Sequence, residues 1–198
     1  MGKLVRGIGD KGKDYSARKG SILLQEYKIW ANVLTRCVPK FWVRHPSYKG
    51  ASCSENFKSY SYFYEWCQSQ IGFKSKDEAN RSWHLDKDLL VKGNKFYSEY
   101  TCVFIPHRLN MLLTKRDLGR GKCPVGVCKQ KNIDKFMASC NDGNSQKYLG
   151  SYNTMNEAFR AYKKFKEALI KEVANEYKDK LDPRAYQALL NYTVEITD

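Results

Sequence analysis

Three side chains that can bind a divalent cation and move a proton are spaced two residues apart in the middle of the chain. They are His84, Asp86 and Asp88, and a β-strand would place all three on one face. Carboxylates are hard oxygen ligands for Mg²⁺ or Mn²⁺, and an imidazole can take a proton from water near neutral pH. Together with the downstream Asn94, these residues predict a site for one divalent cation and a base.

The surrounding residues predict the elements that would hold this site. Residues 83–90 alternate weakly, as a strand does, and Gly93-Asn94 is a turn signal. A second, buried strand is expected over residues 102–105, and a short helix over residues 107–113. The chain therefore predicts a strand, a turn, a second strand and a helix in that order.

Two helices are predicted upstream of these elements. Over residues 22–41 apolar side chains recur every three or four residues, and Pro39 is expected to stop the helix. Residues 56–67 repeat the pattern, with Ser54 as the N-cap. Before them, residues 1–20 are rich in Gly, Lys and Arg and predict a basic flexible arm.

The run WHLDKDLLVKGNKFYSEYTCVFIP resembles the core of HNH-family endonuclease domains from phages. This resemblance implies a ββα-metal fold, in which a His activates water against the scissile phosphate. Asp86 would then be the metal-side acid, Asn94 the central Asn, and Asn110 the last ligand on the closing helix. Lys87 stands where that family usually has its base, so His84 would have to supply it. An intact nuclease and a degenerate, structural domain both remain open.

The stretch from residue 124 to residue 177 predicts three short strands followed by one long helix. In the second strand Phe136, Ala138 and Cys140 alternate with polar residues, so they should pack on the helix. Thr154, with Glu157 three residues later, has the pattern of a capping box. The helix carries an apolar stripe, namely Ala158, Tyr162, Phe165, Leu169, Val173 and Tyr177.

This second module resembles the Apetala-two type of DNA-binding domain. The similarity rests on several motifs in the family's order, including Gly126-Val127, the run YLGSYNT and Glu157-Ala158. The resemblance implies a three-stranded sheet that enters the major groove of DNA. Side chains on the polar face would contact phosphates or base edges, and the expected ones are Lys129, Gln130, Lys131, Lys135, Ser139, Asn141, Lys147 and Tyr148.

Composition agrees with a nucleic-acid partner. The chain has 198 residues and a formal net charge of +14, which favours a polyanion. Seven cysteines without a CxxC pair favour free thiols in a reducing compartment. No apolar run is long enough to span a membrane. The resemblance to phage proteins implies the cytoplasm of a bacterial host as the location.

These observations predict an α+β protein with four parts. They are a basic arm (1–20), an HNH-like domain (21–113), a basic linker (114–123) and an Apetala-two-like domain (124–198). The predicted function is that of a homing-type DNA endonuclease that uses Mg²⁺ or Mn²⁺ and binds double-stranded DNA. The alternatives are a non-catalytic DNA-binding protein with a degenerate HNH domain, which acts as a regulator or as an inhibitor of a host enzyme, and an RNA-binding protein.

Overall fold

A computed structural model describes residues 4–114, 121 and 123–198, which form an α+β architecture. Residue contacts divide the chain after Ile105 into two units. The first contains β1 (Arg18–Lys19), β2 (Ile22–Leu23), α1 (Gln25–Arg36), α2 (Pro39–Trp42), β3 (Ser52–Cys53), α3 (Glu55–Lys58), α4 (Tyr60–Ser69), β4 (His84–Asp86), β5 (Phe96–Tyr97) and β6 (Val103–Ile105). The second contains α5 (His107–Leu113), β7 (Val127–Lys129), β8 (Phe136–Asn141), β9 (Gln146–Tyr152), α6 (Met155–Glu176) and α7 (Pro183–Leu190).

The core of the first unit is aromatic. Trp30 of α1 and Tyr60 of α4 are fully buried, and their ring centroids lie 5.2 Å apart. The indole N–H of Trp30 donates to the carbonyl oxygen of Phe57 at 2.8 Å, so this large ring is buried without an unpaired polar atom. These contacts fix the crossing of α1 and α4.

Each of the two predicted helices of this unit is divided into two shorter helices, the first at Pro39 and the second at Ser59. Val38 is extended before Pro39, as proline requires of the residue that precedes it, so α1 ends at Arg36 and α2 begins anew. Ser54 caps α3 as predicted, by accepting the N–H of Phe57 at 3.2 Å. Ser59 then caps α4 in the same way, through the N–H of Tyr62.

The N-terminal segment differs from the predicted flexible arm, because residues 5–16 pack on the first unit. Asp10 exchanges backbone hydrogen bonds with Lys58 (2.8 Å) and Tyr60 (2.9 Å). The ring of Tyr15 stacks on that of Tyr64, with centroids 4.0 Å apart. These long-range contacts have no signature in the local composition.

Strands β4 and β6 form an antiparallel pair in which His84 lies opposite Ile105 and Asp86 lies opposite Val103. Helix α5 spans the predicted residues but groups with the second unit, where Arg108 pairs with Glu176 of α6. The boundary therefore falls before α5 rather than after it. Residues 115–120 and 122 of the predicted basic linker lie outside the described residues.

The second unit is an antiparallel sheet, in the order β7-β8-β9, with α6 against one face. The buried side chains between sheet and helix include Ala138, Cys140, Ala158 and Tyr162. At Gly126, where φ is +74°, a Cβ would run into the ring of Tyr162, so a glycine is required there. The predicted apolar alternation in β8 is confirmed.

Helix α6 begins with the predicted capping box. The hydroxyl of Thr154 accepts the N–H of Glu157 at 3.2 Å, and the Glu157 carboxylate accepts the N–H of Thr154 at 3.1 Å. These two bonds satisfy backbone donors that a helix start otherwise leaves unpaired.

Candidate nucleic-acid interface and the predicted metal site

The face of the second unit's sheet that α6 does not cover is lined by polar side chains. On β8 the register places Ser139 and Asn141 on this open face, because they alternate with the buried Ala138 and Cys140. Antiparallel pairing brings Tyr148 opposite Ser139 and Gln146 opposite Asn141. These four residues form one continuous patch across two strands.

Side-chain hydrogen bonds order several residues of the open face. The amide of Gln146 donates to the hydroxyl of Ser139 at 2.8 Å, and the hydroxyl of Ser151 donates to Oε1 of Gln130 at 2.6 Å. Tyr148 is 64% exposed, which leaves an aromatic ring available for a ligand. The predicted positions of Gln130, Ser139, Asn141 and Tyr148 therefore all belong to this surface.

The four predicted phosphate-binding lysines are not all on this face. The backbone N–H of Gln130 donates to the carbonyl oxygen of Lys135 at 3.0 Å, which extends the β7–β8 pairing and puts Lys135 at an open-face position. Lys131 is exposed in the adjoining loop. The open face thus has its cations at one end.

Lys129 and Lys147 lie instead at register positions on the helix side. Lys129 is opposite Phe136, and Lys147 is opposite the buried Cys140. Each also has an acidic partner, since Nζ of Lys129 is 3.0 Å from Asp134 and that of Lys147 is 3.3 Å from Asp142. The prediction that Lys129 and Lys147 lie on the open face is therefore wrong, because strand alternation places them on the helix side.

A bulge in the sheet decides which side chains of β9 are on the open face. The pairing shifts between Ala138, which lies opposite Gly150, and Ser139, which lies opposite Tyr148. Leu149 is the extra residue and packs against the core. Because of this shift, Tyr148 is exposed while its neighbour is partly buried.

In the first unit, Asp86 ends β4 and closes the turn that follows. Its Oδ1 accepts the N–H of Asp88 at 2.9 Å and that of Leu89 at 2.7 Å. Burial, and then the charge of Asp88, raises the pKa of Asp86 to about 6, even though both N–H groups favour the charged form.

Asn94 holds the far end of the same loop. Its side-chain amide donates to the carbonyl oxygens of Lys87 and Phe96, both at 2.7 Å, and its Oδ1 accepts the N–H of Phe96 at 3.0 Å. Nζ of Lys87 donates in return to the carbonyl oxygen of Asn94 at 2.9 Å. The amide oxygen that a metal ligand would present is thus engaged in the turn, and the predicted catalytic role of Asn94 does not fit this arrangement.

The other predicted ligands are separated into different elements. His84 and Asp86 share a face of β4, whereas Asp88 follows the end of the strand, so the predicted strand over residues 83–90 is too long. Asn110 lies on α5, in the second unit. Within the described residues no three His, Cys, Asp or Glu side chains are grouped so that they could hold a metal ion. All seven cysteines are free thiols.

Gln146 and Ser151 are open-face residues that the sequence analysis missed. Alternation within β9 is the signal that would have found them, but the bulge at Leu149 interrupts it. Their side chains bond to Ser139 and Gln130, which were predicted to read base edges. The missed residues therefore extend the predicted surface rather than move it.

Comparison with family models, with curated proteins and with solved structures finds no match to this chain. Among the described residues, no helix is both long and apolar enough to cross a bilayer.

Proposed function

We propose that this protein binds double-stranded DNA through the open face of the β7-β8-β9 sheet. The observation that carries the proposal is the continuous patch of hydrogen-bonding side chains on that face, with Tyr148 exposed among them. Amide and hydroxyl groups suit base edges, and the cations at positions 131 and 135 suit phosphates. The net charge of +14 adds a favourable long-range attraction. The Apetala-two-like order of three strands and a helix supports the same partner.

Two lysines on opposite faces of the sheet give a matched pair of variants that tests this proposal. Lys135→Gln removes an open-face cation, whereas Lys129→Gln removes the same charge from a helix-side position. We expect Lys135→Gln to weaken duplex binding and to reduce the slope of log K against log salt by about 0.9, the value for one phosphate contact. Lys129→Gln should leave that slope unchanged. Equal slopes for the two variants, measured by fluorescence anisotropy, would contradict binding through the open face.

Tyr148→Ala tests the aromatic part of the surface. Loss of a ring that contacts the ligand should weaken binding several-fold without changing the salt slope, since no charge is removed. Tyr100→Ala is the matched control, because Tyr100 is 79% exposed and lies in the first unit.

Stronger binding to RNA of the same sequence than to duplex DNA would favour the RNA-binding alternative.

A second candidate function is metal-dependent DNA cleavage by the first unit, as the HNH resemblance implies. The specific observation in its favour is that Oδ1 of Asp86 accepts the N–H of Asp88 at 2.9 Å, so two carboxylate-bearing residues meet in one turn. Two adjacent carboxylates fit a hard divalent cation such as Mg²⁺ or Mn²⁺, which stabilises charge on a scissile phosphate when bound. His84 precedes them on the same strand and would move the proton, while Asn94 does not fit a ligand role.

Plasmid cleavage with Mg²⁺ and with Mn²⁺ tests this second function. Cutting that His84→Ala and Asp86→Ala both abolish, and that the exposed control Asp134→Asn leaves unchanged, would support a nuclease in the first unit. Cutting that survives both substitutions would place the active centre elsewhere. Tight, salt-sensitive DNA binding without cutting would favour a regulator or an inhibitor of a host protein that acts by occupancy, in the cytoplasm of a bacterial host.

A further inference from the structure

One surface of the first unit is rich in Lys and Arg. The segment that forms most of this surface contains no Asp or Glu. Residues 27–54 contain five Lys or Arg and neither Asp nor Glu. Lys40, Arg44 and Lys49 of this segment are exposed, and so is Lys95 from the loop that precedes β5. We call these four residues, together with His45, the basic corner.

Aromatic stacking fixes the backbone of the basic corner. The ring of His45 stacks on that of Phe41, with centroids 4.1 Å apart and an interplanar angle of 22°. Phe41 in turn meets Tyr48 edge-on, at 5.5 Å. The exposed cations alternate with these rings in the sequence, so they project from a framework with little freedom to rearrange.

Two further contacts tie the corner to the rest of the unit. The guanidinium of Arg36 lies over the ring of Tyr48, 5.3 Å from its centroid, and donates to the hydroxyl of Tyr97 at 3.3 Å. Nζ of Lys95 donates to the carbonyl oxygen of Lys49 at 2.8 Å, which brings the cation of the loop to the corner. Four positive charges are thus gathered on one surface.

The cations of the basic corner form no ion pair in the part of the chain that the structure describes. Across residues 4–114, 121 and 123–198, no carboxylate forms an ion pair with Lys40, Arg44, Lys49 or Lys95. Val43, between two of these cations, is 83% exposed. Clustered like charges repel one another, so the surface is stabilised by a polyanion that spans several of them.

We infer that the basic corner contacts the phosphate backbone of double-stranded DNA, as a second binding surface separate from the sheet of the second unit. This inference rests on the proposed function, since it takes duplex DNA as the partner. Exposed Lys and Arg that form no ion pair in the described part of the chain suit phosphates, and such contacts position DNA without reading its sequence. The corner would therefore add affinity that is independent of sequence.

Salt-dependent binding of the full chain to a fluorescein-labelled duplex tests the inference. The variant Lys40→Gln/Arg44→Gln/Lys49→Gln removes three exposed cations. We expect the slope of log K against log salt to fall by about 2 to 3, because each lost phosphate contact removes about 0.9. The matched control is Lys171→Gln/Lys178→Gln/Lys180→Gln, which removes the same charge from exposed positions of the second unit. We expect this control to keep the wild-type slope.

The outcomes separate this inference from the proposed function. A corner variant and a control variant with equal slopes would overturn the inference, while a loss of slope in Lys135→Gln in the same experiment would leave the proposed function standing. No binding of wild type to duplex DNA would overturn both. A loss in the corner variant that appears only with a single-stranded probe would overturn the assignment to duplex DNA.

Discussion

Each unit contains an aspartate that closes a turn with the same two hydrogen bonds. Oδ1 of Asp86 accepts the N–H groups two and three residues later, and Oδ1 of Asp142 does the same with Asn144 and Ser145 at 2.8 Å. Their pKa values nevertheless move in opposite directions. Burial and the charge of Asp88 raise the pKa of Asp86 to about 6, whereas the N–H groups of Ser145 and Asn144 lower that of Asp142 to about 2.

The opposite pKa shifts show that the turn motif alone does not determine the pKa of its aspartate. Both carboxylates receive the backbone donors that favour ionisation. At Asp142 the two donors outweigh the opposing effect of burial, and Nζ of Lys147, 3.3 Å away, further favours the charged form. Asp86 is desolvated beside a second carboxylate, and these effects outweigh the donors. The first unit therefore holds a charge that destabilises it at neutral pH, in the loop with the predicted ligands.

The largest expected effect comes from removing that charge with Asp86→Asn. Asparagine keeps the acceptor oxygen, so both turn bonds persist. When the pKa of an acid is higher in the folded than in the unfolded state, protonation of that acid stabilises the folded protein. For Asp86 this stabilisation is complete below the unfolded pKa, near 3.8, and is lost as pH rises through about 6. Asp86→Asn should equal wild type near pH 4 and exceed it by up to about 3 kcal/mol above pH 7.

Tryptophan fluorescence measures this effect on the first unit alone. All four tryptophans, at positions 30, 42, 66 and 83, precede the boundary after Ile105. Urea unfolding followed by their emission at several pH values gives the difference in the free energy of unfolding. A difference that does not change between pH 4 and pH 7 would contradict the raised pKa.

The next largest effect is expected for Asn94→Ala, which opens the other end of the same loop. The substitution removes three hydrogen bonds and leaves the carbonyl oxygens of Lys87 and Phe96 without the amide donor. We expect a loss of about 1–3 kcal/mol from the first unit, measured by the same fluorescence method. Asn132→Ala, at an exposed position of the second unit, is the control. Wild-type stability in Asn94→Ala would show that the amide does not hold the loop.

The smallest effect is expected for Asp142→Asn in the second unit. An acid with a lowered pKa stabilises above its unfolded value, near 3.8, and that stabilisation is lost as pH falls through about 2. The variant should be slightly less stable than wild type at neutral pH, and the two should converge near pH 2. Far-UV circular dichroism of acid unfolding measures this, and a difference as large as that at Asp86 would remove the contrast between the turns.

The second unit was largely predictable from the sequence because short-range patterns specify it. The alternation of Phe136, Ala138 and Cys140 and the capping box at Thr154 depend only on nearby residues. The faces of Lys129 and Lys147 were predicted wrongly. Side chains alternate between the two faces of a strand, and this rule was not applied to the lysines. The bulge at Leu149 had no signal of its own in the sequence.

The first unit was harder to predict because distant residues hold it together. Strands β3 and β5 are only two residues long and pair in parallel across more than 40 positions of the chain. The Glu99 carboxylate accepts hydrogen bonds from Ser54 at 3.1 Å and Asn56 at 2.6 Å, and no periodicity predicts such bonds. At the candidate metal site, sequence spacing predicted one strand through Asp86 and Asp88, but β4 ends at Asp86. The spacing could not reveal that closure of the loop engages the amide of Asn94.

The bulge at Leu149 predicts how the sheet would respond to deletion of one residue. Gly150 and Tyr148 lie opposite the adjacent residues Ala138 and Ser139, so deletion of Leu149 would leave regular antiparallel pairing. Every other side chain of β9 would keep its present face. Variants one residue shorter at this point would therefore keep the open face, while they lose the partly buried Leu149 and the hydrogen bond that its carbonyl oxygen accepts from the Tyr152 hydroxyl at 2.8 Å.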